Sequence, residues 1–374
     1  MIITFARSSS IANFKFCEMQ YFLTYNLGLL RPSSKKADQG SAVHKVLEWL
    51  ASGKQYLQNN PDAKNVLMDG CNLEFKREEF LEQYKLTDDE VAQVNKDRIN
   101  KAIYKSDASI KSGHSRRGSK MVKALVEESC KYYSTKSSET WTKASYRDVE
   151  NWTWIALDYR GGIYDPRLRT IKNPEQHFDL LIDADWAHYD FIGPDNQRLQ
   201  GQYGIKGTVD LITELDSDTI EVVDWKTGQR LDWATGEVKT YDKLCNDVQL
   251  MLYYYALTKV YPQYKNILIT IFFIRDGGPF TVCFEPHQLS MVEDKLREHF
   301  EGVSACDIPE MCSKDQSDFK CTRICNYYKE QLPGTNCNTC KHIQNEIKKN
   351  GINDTISKYK RPDFEWGYYE APGE

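Results

Sequence analysis

No stretch of this sequence is apolar enough to cross a bilayer. The longest apolar-rich run, Ile267 to Ile274, has eight residues, contains Thr270, and falls far short of the ~20 a spanning helix needs. The opening Met1-Ile-Ile-Thr-Phe-Ala-Arg7 lacks a basic leader followed by a long apolar core, so no signal peptide is expected. Charge of one sign is missing as well. Forty-nine Lys and Arg stand against 54 Asp and Glu, a net charge of −5, and any nucleic-acid contact must therefore come from a local patch. No internal repeat or low-complexity tract occurs. A Gly-x-x-x-x-Gly-Lys-Ser/Thr phosphate loop is also absent, since Gly53-Lys54 lacks both the upstream glycine and the Ser/Thr, which excludes a fused ATP-driven motor. What is present is an ordinary globular balance, 40% hydrophobic and 28% charged over 374 residues, with room for two or three domains. A soluble, cytoplasmic protein without a membrane partner is expected.

Cysteine, by contrast, is plentiful. Six of the eleven fall between 306 and 340: Cys306, Cys312, Cys321, Cys325, Cys337 and Cys340. Disulfide scaffolds belong to small secreted domains, whereas clustered thiols in a reducing compartment more often hold a metal or an iron–sulfur cluster. Two close pairs, Cys321-x3-Cys325 and Cys337-x2-Cys340, would suit structural zinc.

The order of elements predicts an α/β protein with a mixed sheet. Ser8–Ser10 read as the cap of a first helix that carries Cys17, and Ser33-Ser34-Lys35-Lys36 as a break. Gly40-Ser41 then opens a second helix whose Val43, Val46, Leu47 and Leu50 share one face. Four regions are expected: N-terminal helices at 1–51, a mostly helical insert at 52–172, a strand-rich core at 173–302, and a cysteine-rich tail at 303–374. Strands are predicted at His177–Ala187, Gly204–Glu214, Thr219–Lys226, Ile267–Ile274 and Phe280–Phe284, with helices at Asp247–Val260 and Pro286–Gly302.

The most informative stretch runs from Gly207 to Lys226. Strand side chains alternate faces, so Asp224 and Lys226 point the same way as Ile220 and Val222. A hairpin symmetric about Ser217 makes Asp210 the cross-strand partner of Asp224. Opposed like charges are destabilising, and a face shared with Ile220 and Val222 is not a solvated one. A divalent cation resolves the conflict, because two carboxylates, a backbone carbonyl and water suit Mg²⁺ or Mn²⁺. Such an ion can activate water against a phosphodiester, with Lys226 orienting the water or offsetting phosphate charge. Gln249 and Tyr253 lie one turn apart on a helix face, within reach of DNA backbone or Lys226. A surface salt bridge and a packed tyrosine are the plainer readings of the same residues.

Val209-Asp210 and Asp224-Trp225-Lys226-Thr227-Gly228 resemble the motifs of the PD-(D/E)XK nuclease superfamily. The closest likeness is to its RecB-like branch, which includes AddB nuclease domains and CRISPR-associated adaptation exonucleases. Gly40-Ser-Ala-Val-His44, Gln249-x3-Tyr253, Glu175 and the Ser8–Cys17 segment followed by Tyr21-Phe22 match further motifs of that branch in order. The resemblance implies a restriction-endonuclease-like core, a mixed sheet flanked by helices. It implies metal ligation by His44, Asp210, Asp224 and the Trp225 carbonyl, and catalytic parts for Asp210, Asp224, Lys226, Gln249 and Tyr253. It also implies a [4Fe–4S] cluster on Cys17, Cys321, Cys325 and Cys340, with Cys337 as alternate and zinc as the competing occupant. The Cys321–Cys325 spacing is one residue longer than the family's usual one, and the gap to the last cysteine is longer too.

Residues 96–123 carry nine Lys and Arg against two acids. Within them Arg116, Arg117 and Lys120 are expected to touch DNA phosphates, though charge runs are usually solvated faces. Together these point to a metal-dependent deoxyribonuclease acting on DNA ends, a single-strand-preferring exonuclease by resemblance. Recombination, repair or replication of a phage or mobile element would suit it, with a helicase, recombinase or integrase as partner and, if phage-encoded, the host cytoplasm as its place. A non-catalytic DNA-binding or assembly subunit and a zinc-ribbon DNA-binding protein are the alternatives.

Overall fold

The computed structural model describes residues 1–29, 33–81, 119–231, 236–312, 319–332, 334 and 337–366. Strand β1 (Phe5–Ala6) leads into α1 (Ser8–Phe16), α2 (Glu18–Tyr25) and the long α3 (Lys35–Asn59). A small hairpin, β2 (Asn65–Val66) and β3 (Phe75–Lys76), and α4 (Arg77–Leu81) precede α5 (Lys120–Lys136) and α6 (Lys143–Asp158). Strands follow: β4 (Thr170–Asn173), β5 (Gln176–Leu181), β6 (His188–Ile192), β7 (Arg198–Gln202), β8 (Gly204–Val209), β9 (Leu211–Asp216) and β10 (Thr219–Lys226). Next come α7 (Tyr241–Cys245), α8 (Val248–Val260), β11 (Asn266–Phe273), β12 (Gly278–Cys283) and α9 (Gln288–Ser304). The tail holds a π-helical turn (Lys320–Ile324), α10 (Asn326–Lys329), α11 (Thr339–Asn350) and α12 (Ile352–Tyr359).

Strand β10 is the centre of a five-stranded sheet ordered β12-β11-β10-β9-β4. It pairs parallel with β11 and antiparallel with β9, so the sheet is mixed. A second sheet, β1-β8-β5, adjoins it, and the chain passes from one to the other between Val209 and Leu211. β10 reads Thr-Ile-Glu-Val-Val-Asp-Trp-Lys because helices cover both its faces, and such strands bury nearly every position. Ile220 and Val222 pack with Ile269 and Ile271 under α1, α2, α8 and α9. Val223 and Trp225 pack with Phe272 on the opposite side, under α3, α5 and α6. The result is an α/β fold of sheets flanked by helices, the layout expected of a restriction-endonuclease-like core.

Several local expectations need correction. Cys17 does not ride on the first helix; its backbone is extended, breaks the chain between α1 and α2, and its Sγ accepts from the Gln20 N–H at 3.4 Å. Arg7, not one of the serines, occupies the N-cap of α1, with Ser10 bonded back to it. α3 begins at Lys35 rather than Gly40, because Ser34 caps it by accepting from the Ala37 N–H. The paired lysines that read as a break are its exposed first turn. The same helix continues past residue 51 to Asn59, and α5 and α6 share its core. The hairpin β6–β7 had no predicted counterpart, since its half-exposed strands are rich in polar residues.

Candidate active site

The register of β9 on β10 runs from Ile220 opposite Glu214 to Val223 opposite Leu211. One further step sets Asp224 opposite Asp210, the pairing a hairpin symmetric about Ser217 predicts. Asp210 sits at the bend between β8 and β9, and its Oδ2 accepts the Trp225 N–H at 2.7 Å. His44, from α3, brings Nδ1 to 3.3 Å from the same oxygen. Gly40, one turn earlier, is what permits this approach. A Cβ there would lie 2.5 Å from Thr227 Oγ1, directly after β10.

Asp224 is 1% exposed. Its Oδ1 accepts from Tyr253 Oη at 2.9 Å and Gln249 Nε2 at 3.0 Å, and Gln249 also donates to the Tyr253 oxygen at 2.6 Å. Both side chains, which line the cleft, thus turn their polar ends on Asp224. Asp247 makes this possible by capping α8 through the Gln249 N–H. Lys226 Nζ lies 2.8 Å from Asp224 Oδ2.

The two carboxylates titrate in opposite senses. Burial pushes Asp224 up, neighbouring Asp210 adds to this, and Lys226 with the Tyr253 hydroxyl only partly offsets it. Burial also raises Asp210, but His44, Lys226 and the Trp225 N–H outweigh it and hold Asp210 below the usual range. Burial lowers His44 and Lys226; the carboxylates overcome that and raise both. The two carboxylates thus favour the charged form of Lys226.

Do these residues fit a divalent cation? Asp224 Oδ2 is buried and, among the described residues, has the Lys226 ammonium at 2.8 Å as its neighbour but no hydrogen bond of good geometry. Two carboxylates supply the hard oxygen donors that Mg²⁺ or Mn²⁺ takes, with the His44 imidazole as a softer third. Among the described residues, no three His, Cys, Asp or Glu side chains already close into a metal-binding group. His44, Asp210, Asp224, Lys226, Gln249 and Tyr253, together with Trp225 and Glu175, line one cleft of about 720 Å³. Of the expected DNA contacts, Arg116 and Arg117 lie outside the described residues. Lys120 opens α5, exposed, and is not among the residues lining this cleft.

Cys17, Cys321, Cys325 and Cys340 are all buried, at 6, 4, 3 and 3% exposure. They are mutual neighbours: Cys340 hydrogen-bonds Cys325 and feels Cys17 and Cys321, and its pKa is raised accordingly. Burial pushes Cys17 up to about 12. Cys312, which spacing alone left aside, lies with its Sγ 3.5 Å from that of Cys321. Cys337 is half-buried just before α11. The chain termini are also tied without thiols: Met19 N–H donates to the Glu310 carbonyl at 3.1 Å and Glu310 N–H to Glu18 Oε2 at 2.9 Å.

Among the described residues, no helix is long and apolar enough to cross a membrane. No curated protein matches the chain. One family model does, over residues 8–344, and its description is the PD-(D/E)XK nuclease superfamily.

Proposed function

The chain belongs to the PD-(D/E)XK nuclease superfamily, and from that premise we propose that the cleft is the active site of a divalent-metal-dependent deoxyribonuclease. The observation that carries the reading is the convergence of Asp210, buried Asp224, Lys226 and His44 within that one cleft. His44, Asp210, Asp224 and the Trp225 carbonyl would hold Mg²⁺ or Mn²⁺. When bound, the cation supplies Lewis-acid charge for the phosphate and acidifies water. Lys226, held protonated, donates to the attacking water or to phosphate oxygen as charge builds there. Gln249 and Tyr253 are positioning residues that fix Asp224 Oδ1. The resemblance to the RecB-like branch extends the reading to an exonuclease on DNA ends with single-strand preference. It would act in the cytoplasm in recombination, repair or replication, beside a helicase, recombinase or integrase. Digestion of end-labelled single- and double-stranded DNA with Mn²⁺, with Asp224→Ala as control, tests it. Metal-dependent cleavage lost in the variant is expected; a wild type that cleaves neither DNA would overturn the enzyme reading in favour of a DNA-binding subunit.

For the thiols we propose a structural [4Fe–4S] cluster on Cys17, Cys321, Cys325 and Cys340. Their burial together, and their mutual cost of ionisation, support a shared cationic centre. Cys340 is preferred over Cys337 because its thiol is the one bonded to Cys325. One distance favours zinc instead: tetrahedral thiolates at ~2.3 Å from Zn²⁺ stand about 3.8 Å apart, close to the 3.5 Å between Cys312 and Cys321. Absorbance of anaerobically purified protein separates the two, since Fe–S ligation absorbs broadly near ~400 nm and zinc does not.

A further inference from the structure

The catalytic cleft is not symmetric in charge. Along β8, the side chains at 206 and 208 share one face, and with Asp210, at the bend just past the strand, they line the cleft as a lysine, a hydroxyl and a carboxylate. Lys206 is four residues from Asp210, roughly 13 Å at ~3.3 Å per residue. Beside it comes a second cation. β1 pairs parallel with β8, Ala6 against Ile205, so the next step along both chains brings Arg7 level with Lys206. Both cations converge on one aromatic ring: Lys206 Nζ lies 5.2 Å, and Arg7 Cζ 6.0 Å, from the centroid of Phe5. Lys206 also pairs with Asp179 at 2.9 Å, an exposed carboxylate. Between this station and the catalytic pair, Thr208 Oγ1 and His177 Nδ1 meet at 2.9 Å and offer polar hydrogens at the cleft surface.

The other end is acidic. Glu175 precedes β5, and the register of β5 on β8 sets it level with Asp210. Glu48 lies one turn beyond His44 on α3, and both of its oxygens are bonded to Lys45 Nζ. Burial first, and then the nearby Glu175 carboxylate, raise the pKa of Glu48, with Lys45 opposing them. Counting Lys45 beside Glu48 and Asp179 beside Lys206, the Glu48–Glu175 end carries one net negative charge and the Arg7–Lys206 end one net positive charge.

We infer that Arg7 and Lys206 form a phosphate subsite, and that the bound strand runs from the catalytic carboxylates along β8 to it. This inference rests on the nuclease reading of the cleft, yet it is separately testable, because it concerns binding at a phosphate that is not cleaved. The strand therefore occupies one arm of the cleft. Arg7 and Lys206 decide its direction, and neither belongs to the catalytic motifs.

The test is a methylphosphonate scan in the Asp224→Ala background, which permits binding to be read without cleavage. Single-stranded 12-mers, each with one neutral phosphate, are titrated by fluorescence anisotropy against the chain with and without Arg7→Gln and Lys206→Gln. Neutralising one internal phosphate, away from the scissile position, should weaken binding about tenfold. Each charge removal should do the same to unmodified DNA and lower the salt slope by about 1. In the doubly substituted chain that methylphosphonate should cost nothing further. Additive losses, or no sensitive internal phosphate, would overturn the subsite. Arg7 also caps α1, so Lys206→Gln, which leaves the cap intact, must show the effect alone. Metal-dependent cleavage by the wild type, measured in parallel, stands or falls independently of this result.

Discussion

Replacing Tyr253 by Phe removes a single oxygen from the centre of the proposed site. That hydroxyl donates to Asp224 Oδ1 at 2.9 Å and accepts from Gln249 at 2.6 Å. A hydrogen bond to a charged group is worth ~1.5–3 kcal/mol. Gln249 keeps its own 3.0 Å bond to Asp224, so the lower figure applies, about 1.5 kcal/mol or roughly tenfold. The hydroxyl favours the ionised carboxylate, against the burial that raises Asp224. Its loss raises that pKa further, and protons then compete better with the cation. The expected result is a tenfold higher Mn²⁺ concentration for half-maximal cleavage, with the acid limb of the pH–rate profile moved to higher pH. The maximal rate should return at saturating metal. Cleavage of end-labelled DNA across a Mn²⁺ titration at several pH values measures all three. A loss that saturating metal does not restore would refute the reasoning and return Tyr253 to direct contact with DNA, the role its spacing first suggested.

Gly40→Ala should destabilise the fold by about 1–3 kcal/mol, because its Cβ would meet Thr227 Oγ1 at 2.5 Å. Adding Thr227→Ala should restore the melting temperature, and absence of rescue would refute the contact. His299 is buried, neither of its ring nitrogens has a hydrogen-bond partner among the described residues, and burial lowers its pKa to about 3. The unfolded chain takes up that proton first, so its contribution is intact above pH ~6.5 and is lost as pH falls toward 3. Between pH 7.5 and 5 the wild type should lose about 2 kcal/mol more than His299→Phe in urea melts, and equal slopes would refute this. Cys340→Ser should abolish the absorbance near ~400 nm while Cys337→Ser keeps it. The reverse would exchange the fourth ligand.

The hairpin that carries Asp224 and Lys226 was legible because its information is local. Alternation along Thr219–Lys226 and a short turn are enough to set Asp210 against Asp224. His44, Gln249 and Tyr253 needed motif resemblance, since nothing in their spacing says that α3 and α8 meet over the same strand. Cys17 was misplaced on a helix because an extended residue between two helices leaves no mark in a run such as Phe14–Phe22. The start of α3 was missed for a similar reason: Ser34 and two lysines resemble a linker until the capping bond is seen. Lys206 carried a readable signal, on one face with Thr208 and shortly before Asp210. Its partner Arg7, the neighbour across the sheet, lies about 200 residues away in sequence, so no local pattern joins the two. Cys312 likewise entered its group through contact and not through spacing.

Asp210 is the single residue between β8 and β9, and so the pin where two sheets are joined. Asp224 is anchored differently, on the central strand β10, paired with Ile271 of β11 one step past the end of the β9 ladder. Any rocking of the smaller sheet would swing Asp210 away from the Trp225 N–H while leaving Asp224 in place. The proposed metal site thus takes one carboxylate from within a sheet and the other from the joint between two.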